Sequence, residues 1–87
     1  MATKKRVTFK LENPEAREVF LAGSFNAWDP SARPLKKDAK GIWKTTMMLS
    51  KGTYEYRFIV DGQWVDDPDA QEKRLNELGI HNSVVTV

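Results

Sequence analysis

A chain of 87 residues, 40% hydrophobic and 30% charged, has the composition of one globular domain with a single modest core. It has no cysteine, which excludes a disulfide framework and any thiolate zinc site. Fourteen Lys and Arg against twelve Asp and Glu leave a net charge of +2, spread too evenly for a strong field. No run approaches the roughly 20 apolar residues of a membrane span.

Taken in chain order, residues 1–5 read as a flexible basic tail and the run Lys4-Lys5-Arg6 as a solvated terminus rather than a nucleic-acid arm. Val7-Thr8-Phe9 follows where a secretory signal needs an apolar run, and Ala2 stands where N-myristoylation needs glycine. A cytoplasmic protein is the expectation. Val7, Phe9 and Leu11 alternate with polar residues, a half-buried strand that Asn13-Pro14 ends. A second strand is expected over 17–25, apolar on both faces. The segment 26–34, with two prolines, is a loop, and Lys36-Lys37-Asp38-Ala39-Lys40-Gly41 is another polar turn. A third strand starts at Ile42 and ends at Leu49, with Trp43, Thr45, Met47 and Leu49 on one face. A fourth precedes Asp61-Gly62. The segment 70–79 is expected to be mostly loop, and 81–87 a closing strand. Strands at this spacing, punctuated by Gly, Pro and Asn, predict an all-β sandwich, with residues 1–87 forming one domain.

Asp61-Gly62 sets a register. A two-residue type I′ turn needs positive φ at both central positions, which Asp-Gly supplies. Val60 then faces Gln63, Ile59 faces Trp64, Phe58 faces Val65 and Arg57 faces Asp66. Opposed residues share a face. Tyr56, Phe58, Val60 and Val65 therefore form a core face, while Arg57, Ile59 and Trp64 lie outward. An indole and a guanidinium side by side on a surface need a reason. Trp43 keeps phase with Met47 and Leu49 and is assigned to the core. Trp28 sits among turn-forming residues and is expected to be partly exposed.

The residues offer little to catalysis. His81 is the sole histidine and has no evident serine partner. Asp66, Asp67 and Asp69 lack the spacing of an EF-hand loop, and Pro68 among them favours a turn with Asp side chains capping backbone amides. Neither Gly52 nor Gly62 opens a phosphate loop, since no helix follows. No enzyme activity, metal or cofactor is expected. Two outward tryptophans suit a ligand with a flat apolar face and a polar rim, such as a pyranose ring or a nucleobase. Covering roughly 100 Å² of apolar surface is worth about 2–3 kcal/mol. Association costs at least several kcal/mol, so a single sugar scarcely binds. An oligosaccharide with added hydrogen bonds reaches the order of 10 μM to 1 mM.

Val19-Phe20-Leu21-Ala22-Gly23-Ser24-Phe25-Asn26-Ala27-Trp28, Gly41-Ile42-Trp43, the run from Gly52 to Trp64, and Asp67-Pro68 resemble family 48 carbohydrate-binding modules. That family includes the glycogen-binding domain of the AMP-activated protein kinase β subunit and the early-set domains of isoamylases and branching enzymes. The resemblance runs from about Val7 to Val87. It implies an immunoglobulin-like (early-set) antiparallel β-sandwich, a single domain that binds α-1,4-linked glucans such as glycogen and starch without cleaving them. It implies Trp28 and Trp64 as sugar platforms and Arg57 as a hydrogen-bond donor where the kinase-type domain has lysine. Leu78-Gly79-Ile80-His81-Asn82 aligns with a terminal stretch of the family's site. Leu78 is then an apolar prong and Asn82 a hydroxyl partner, while Ile80 replaces the family's Thr and its hydroxyl. His81 falls between contacts.

Two readings follow, with different partners. The first is a glucan-binding module that targets itself, or a partner such as a glucan-active enzyme or kinase subunit, to the polymer. The second is a protein-interaction or scaffold domain, of a glycoside hydrolase family 13-like enzyme or a kinase complex, with weak or no sugar binding. Both exclude nucleic acid and membrane as partners; a third possibility, an oligonucleotide binder, predicts a salt-dependent affinity that a sugar binder lacks.

Overall fold

The computed structural model of the chain describes residues 3–87, so the first two positions of the expected tail lie outside the described residues. In chain order the strands are β1 (Lys4–Glu12), β2 (Val19–Gly23), β3 (Lys36–Lys37), β4 (Ile42–Ser50), β5 (Thr53–Val60), β6 (Gln63–Val65), β7 (Glu72–Leu75) and β8 (His81–Thr86). They form two antiparallel sheets, β1-β4-β3 and β2-β5-β8-β7, with β6 beside β5. Lys4 and Lys5, expected in the tail, are strand residues that pair with Ser50 and Leu49. A chain edge of lysines remains solvated while its backbone is paired, which is how edge strands resist association.

The sheets close over an apolar core. Phe9, Leu11, Trp43 and Leu49 come from one sheet and Val19, Leu21, Tyr56 and Phe58 from the other. Phe9 meets Tyr56 across the interface with ring centroids 4.9 Å apart and planes at 70°, an edge-on arrangement that aromatic quadrupoles favour. Trp43 is buried, and its indole N–H donates to the Asn13 carbonyl at 2.8 Å. That bond ties the end of β1 to β4, and it satisfies a donor that burial would otherwise strand.

Three elements differ from expectation. Lys36 and Lys37, expected in a polar turn, form β3 by pairing with Lys44 and Trp43. The predicted strand over 17–25 is shorter at both ends. Its start is taken by Asp61, whose carboxylate accepts the N–H groups of Arg17 and Glu18, each at 2.9 Å. Its end is a single 3-10 turn at Ser24–Asn26. The segment 70–79 is not mostly loop. Glu72–Leu75 pairs with β8, matching Arg74 with Asn82 and Glu72 with Val84. Those four residues, Glu-Lys-Arg-Leu, are all exposed and carry no alternation, because an edge strand needs only backbone pairing. Between β2 and β3 the chain changes sheets. Arg33 and Leu35 bond to β2 through Leu21 and Val19, at 2.9 and 2.8 Å, and Lys36 and Lys37 then pair with β4.

The hairpin register is as expected for three of four pairs: Val60 with Gln63, Ile59 with Trp64, Phe58 with Val65. Asp61 and Gly62 have φ of 48° and 86°, the left-handed values a type I′ turn requires. The fourth expected pair, Arg57 with Asp66, is not formed in the ladder. Asp66 turns instead to Lys73, 2.7 Å away. Asp67 is buried at this turn. It accepts the Tyr56 hydroxyl at 2.6 Å and the Asp69 N–H at 2.9 Å, the capping role expected of this acidic cluster. Burial, and then the bond to Asp67, push the Tyr56 phenol well above its usual range.

Candidate functional site

The outer face of the larger sheet is set by register. Ala22 lies opposite Arg57, Val84 opposite Glu55, and Trp64 opposite Ile59, so Glu55, Arg57 and Trp64 share one surface. Asn82 and its partner Arg74 lie on the same face, two positions along β8 from Val84.

Trp28 reaches this face through the turn after β2. Gly23 is required by close approach: a Cβ there would lie 2.6 Å from both the Glu55 carbonyl oxygen and the Phe25 ring. Asn26 then folds the chain back. Its side-chain oxygen accepts the Gly23 N–H at 3.0 Å and its amide donates to the Leu21 carbonyl at 3.2 Å. Phe25 turns inward to Phe9, at 5.6 Å between ring centroids. Ala27 and Trp28 both take left-handed φ, 57° and 59°, and the Trp28 N–H bonds the Gly23 carbonyl at 2.9 Å. Two consecutive non-glycine residues in this region store backbone strain. The result is an indole 6.5 Å from that of Trp64, with planes at 43°: two rings forming a shallow V.

The opposite wall comes from the turn between β7 and β8. Asn76 organises it, its side-chain oxygen accepting the N–H groups of Leu78 at 2.9 Å and Ile80 at 3.0 Å. The turn projects Leu78, which is 82% exposed, and Ile80, 39% exposed.

Arg57, Trp28, Trp64, Leu78, Ile80 and Asn82, the six residues singled out in the sequence, all line one open cleft of about 520 Å³. His81 is exposed and opposite Leu75, on the other face from Asn82. The cleft also contains three residues that sequence reasoning missed: Glu55, Asn76 and Glu77. Asn76 was legible as an Asn-x-x-Gly turn. Glu55 was legible too, since the same alternation that sets Arg57 outward sets Glu55 outward.

Glu55 accepts from Asn82 at 3.3 Å and from Arg74 at 3.4 Å. Among the described residues, the Arg57 Nε is the one buried side-chain polar atom without a hydrogen-bond partner. A buried N–H of this kind costs about 1–3 kcal/mol unless something accepts from it. Beside the cleft, the hydrogen bond from Lys73 holds the Asp66 carboxyl below the usual carboxylate range, and Arg57 adds a smaller pull in the same direction. The described residues hold no cluster of acidic and imidazole groups arranged for a metal. Among the described residues, no helix is long and apolar enough to cross a membrane.

Comparison with known proteins agrees with the fold. The solved structure of a maltogenic amylase from S. marinus superposes with a TM-score of 0.82 at 26% identity, over 97% of this chain and 14% of the amylase chain. Protein PTST homolog 2, chloroplastic, of Arabidopsis thaliana is 47% identical over 53 residues, covering 61% of this chain and 10% of that protein. Protein FLOURY ENDOSPERM 6, chloroplastic, of Oryza sativa subsp. japonica is 39% identical over 86% of this chain and 13% of its own length. The β-1 subunit of 5'-AMP-activated protein kinase from Sus scrofa is 37% identical over 82% of this chain and 55% of the subunit sequence. The chain thus spans from a tenth to just over half of these curated relatives. The family model described as the glycogen recognition site of AMP-activated protein kinase matches residues 6–87, and the chain belongs to that family.

Proposed function

We propose that this chain is a non-catalytic module that binds α-1,4-linked glucans of the glycogen and starch type. The observation that carries the reading is the convergence of the Trp28 and Trp64 rings with Arg57 and Asn82 in one cleft. The indole faces cover the axial C–H groups of consecutive glucose units. Arg57 and Asn82 exchange hydrogen bonds with the ring hydroxyls. Leu78 and Ile80 fill the apolar space on the far side. A helical glucan presents a curved surface, which the 43° angle between the rings accommodates better than a flat wall does. On this reading the module binds the polymer without cutting it. It brings itself, or a glucan-active enzyme or kinase subunit to which it is attached, to the polymer. The cysteine-free composition suits the reducing cytoplasm, the compartment we assign.

The test is native gel electrophoresis with and without glycogen in the gel. Wild-type protein is retarded by the polymer, and Trp64→Ala, which removes one platform, migrates freely. Unretarded wild-type protein refutes the proposal. Retardation that survives Trp64→Ala moves the site elsewhere. The scaffold reading has its own observation: the amylase carries a matching sandwich as 14% of a much larger chain. It predicts a wild-type protein that ignores glycogen and yet is pulled down with the rest of its parent enzyme or complex.

A further inference from the structure

Two polar residues at the cleft, Glu55 in its lining and Arg74 beside it, have no part in the roles given above, yet they are bonded to one another and Glu55 to Asn82. Three strands each contribute one member of this cluster. Glu55 is on β5, two residues from Arg57. Asn82 is on β8, and Arg74 stands directly opposite it on β7. Glu55 joins the other two, one carboxylate oxygen taking the Asn82 amide and the other the Arg74 guanidinium, at 3.3 and 3.4 Å. Asn82 is only 8% exposed, so few orientations are open to it.

The chemistry of the pair breaks the symmetry of the amide. An ionised carboxylate only accepts hydrogen bonds, so Asn82 must turn its NH₂ end to Glu55 and its carbonyl oxygen away. Without Glu55 the two ends of the amide are nearly equal in shape, and the side chain is free to flip. On the same face, Arg57 supplies a donor and no acceptor. A sugar ring with neighbouring hydroxyls is met best by one donor and one acceptor, because each hydroxyl can accept from one and donate to the other.

We infer that Glu55 is a positioning residue for glucan recognition: it fixes Asn82 with its carbonyl oxygen toward the ligand, as the acceptor that complements the Arg57 donor. Arg74 holds the carboxylate in turn, which gives the edge strand β7 a part in the site. The inference rests on the proposed glucan reading and goes beyond it, since Glu55 acts through Asn82 and not by touching sugar. The pairing also selects for neutral ligands with vicinal hydroxyls.

The test is a maltoheptaose titration followed by tryptophan fluorescence, on the wild type, Glu55→Ala, Glu55→Gln, Asn82→Ala and the Glu55→Ala/Asn82→Ala double variant. Side-chain amide NMR signals of Asn82 are recorded for the sugar-free proteins in parallel. Glu55→Ala weakens binding about tenfold, the scale of one well-placed hydrogen bond, and moves the Asn82 amide signals toward those of an unrestrained side chain. Glu55→Gln keeps an acceptor facing Asn82 and recovers binding to within about threefold of the wild type. The double variant binds no more weakly than Asn82→Ala alone, since both changes remove the same contact. Wild-type affinity in Glu55→Ala, or losses that multiply in the double variant, overturns the positioning role. A wild type that does not titrate while its Asn82 signals still respond to Glu55→Ala overturns the glucan reading, and the inference with it.

Discussion

Asp61 carries two jobs that its place in a hairpin turn does not announce. Its backbone adopts the left-handed conformation of the turn, and its carboxylate accepts two N–H groups from the segment before β2. The bonds from Glu18 and Arg17 hold its carboxyl below the usual carboxylate range. A group depressed in the folded state adds stability that is present above its unfolded value, about 3.9, and is lost as pH falls through the folded value. Asp38 and Asp66 are depressed as well, by backbone bonds from Ile42 and Lys40 and by Lys73 respectively. Stability therefore declines below about pH 4, and three carboxyls share the decline. Asp61→Asn keeps a favourable turn residue but no titrating group. Urea unfolding midpoints between pH 5 and pH 2.5 should fall less steeply in this variant than in the wild type. Superimposable acid limbs would show that Asp61 contributes nothing through its charge.

At the scale of elements, the smaller sheet carries an arrangement with a cost. Lys10 on β1 lies directly opposite Lys44 on β4, and Lys44 lies opposite Lys36 on β3. Like charges at opposed positions destabilise a sheet, and here only Lys44 has an acidic partner among the described residues, Asp38 at 3.3 Å. Lys10→Glu replaces one repulsion by an attraction across the same pair. It is expected to stabilise the domain by about 0.5 kcal/mol at low ionic strength, a rise of about 2–4 °C in Tm. Added salt should shrink the gain, because both side chains are exposed. Thermal melts of both proteins at low salt and at about 0.5 M salt measure it, and an unchanged or lower Tm counts against the pairing. The elements most legible in the sequence are those that alternate, such as β1, β4 and the β5–β6 hairpin. β7 was missed because edge strands owe their existence to a neighbour's free backbone and leave little trace in side-chain pattern.

For the whole molecule, the two sheets divide the labour. The inner faces build the core, and the outer face of the larger sheet holds the cleft. The net charge of +2 is small, and the cleft itself mixes Arg57 with Glu55 and Glu77. On the proposed reading, recognition there depends on ring stacking and neutral hydroxyls and not on counterion release. Maltoheptaose affinity should change less than about twofold between about 50 and 500 mM NaCl, whereas a surface making several phosphate contacts loses orders of magnitude over such a range. Fluorescence titrations at the two salt concentrations decide the matter. A steep loss with salt would point to an anionic ligand and away from a glucan.

The amino-acid sequence by itself determined the local geometry. Asp61-Gly62 dictated a type I′ turn, the turn dictated register, and register with a period of two placed Arg57 and Trp64 outward and Phe58 inward. These are consequences of neighbouring residues and steric limits on φ and ψ. The motif resemblance added Trp28, Leu78, Ile80 and Asn82. What tertiary structure alone decided is how distant segments meet: the tilt of Trp28 against Trp64, the tether from Asp61 to Arg17 and Glu18, and the bonding of Glu55 to Asn82 and Arg74. These contacts join residues far apart in the chain, and no spacing within a strand or turn encodes them. They exist because the sheets pair in one order and close over one core.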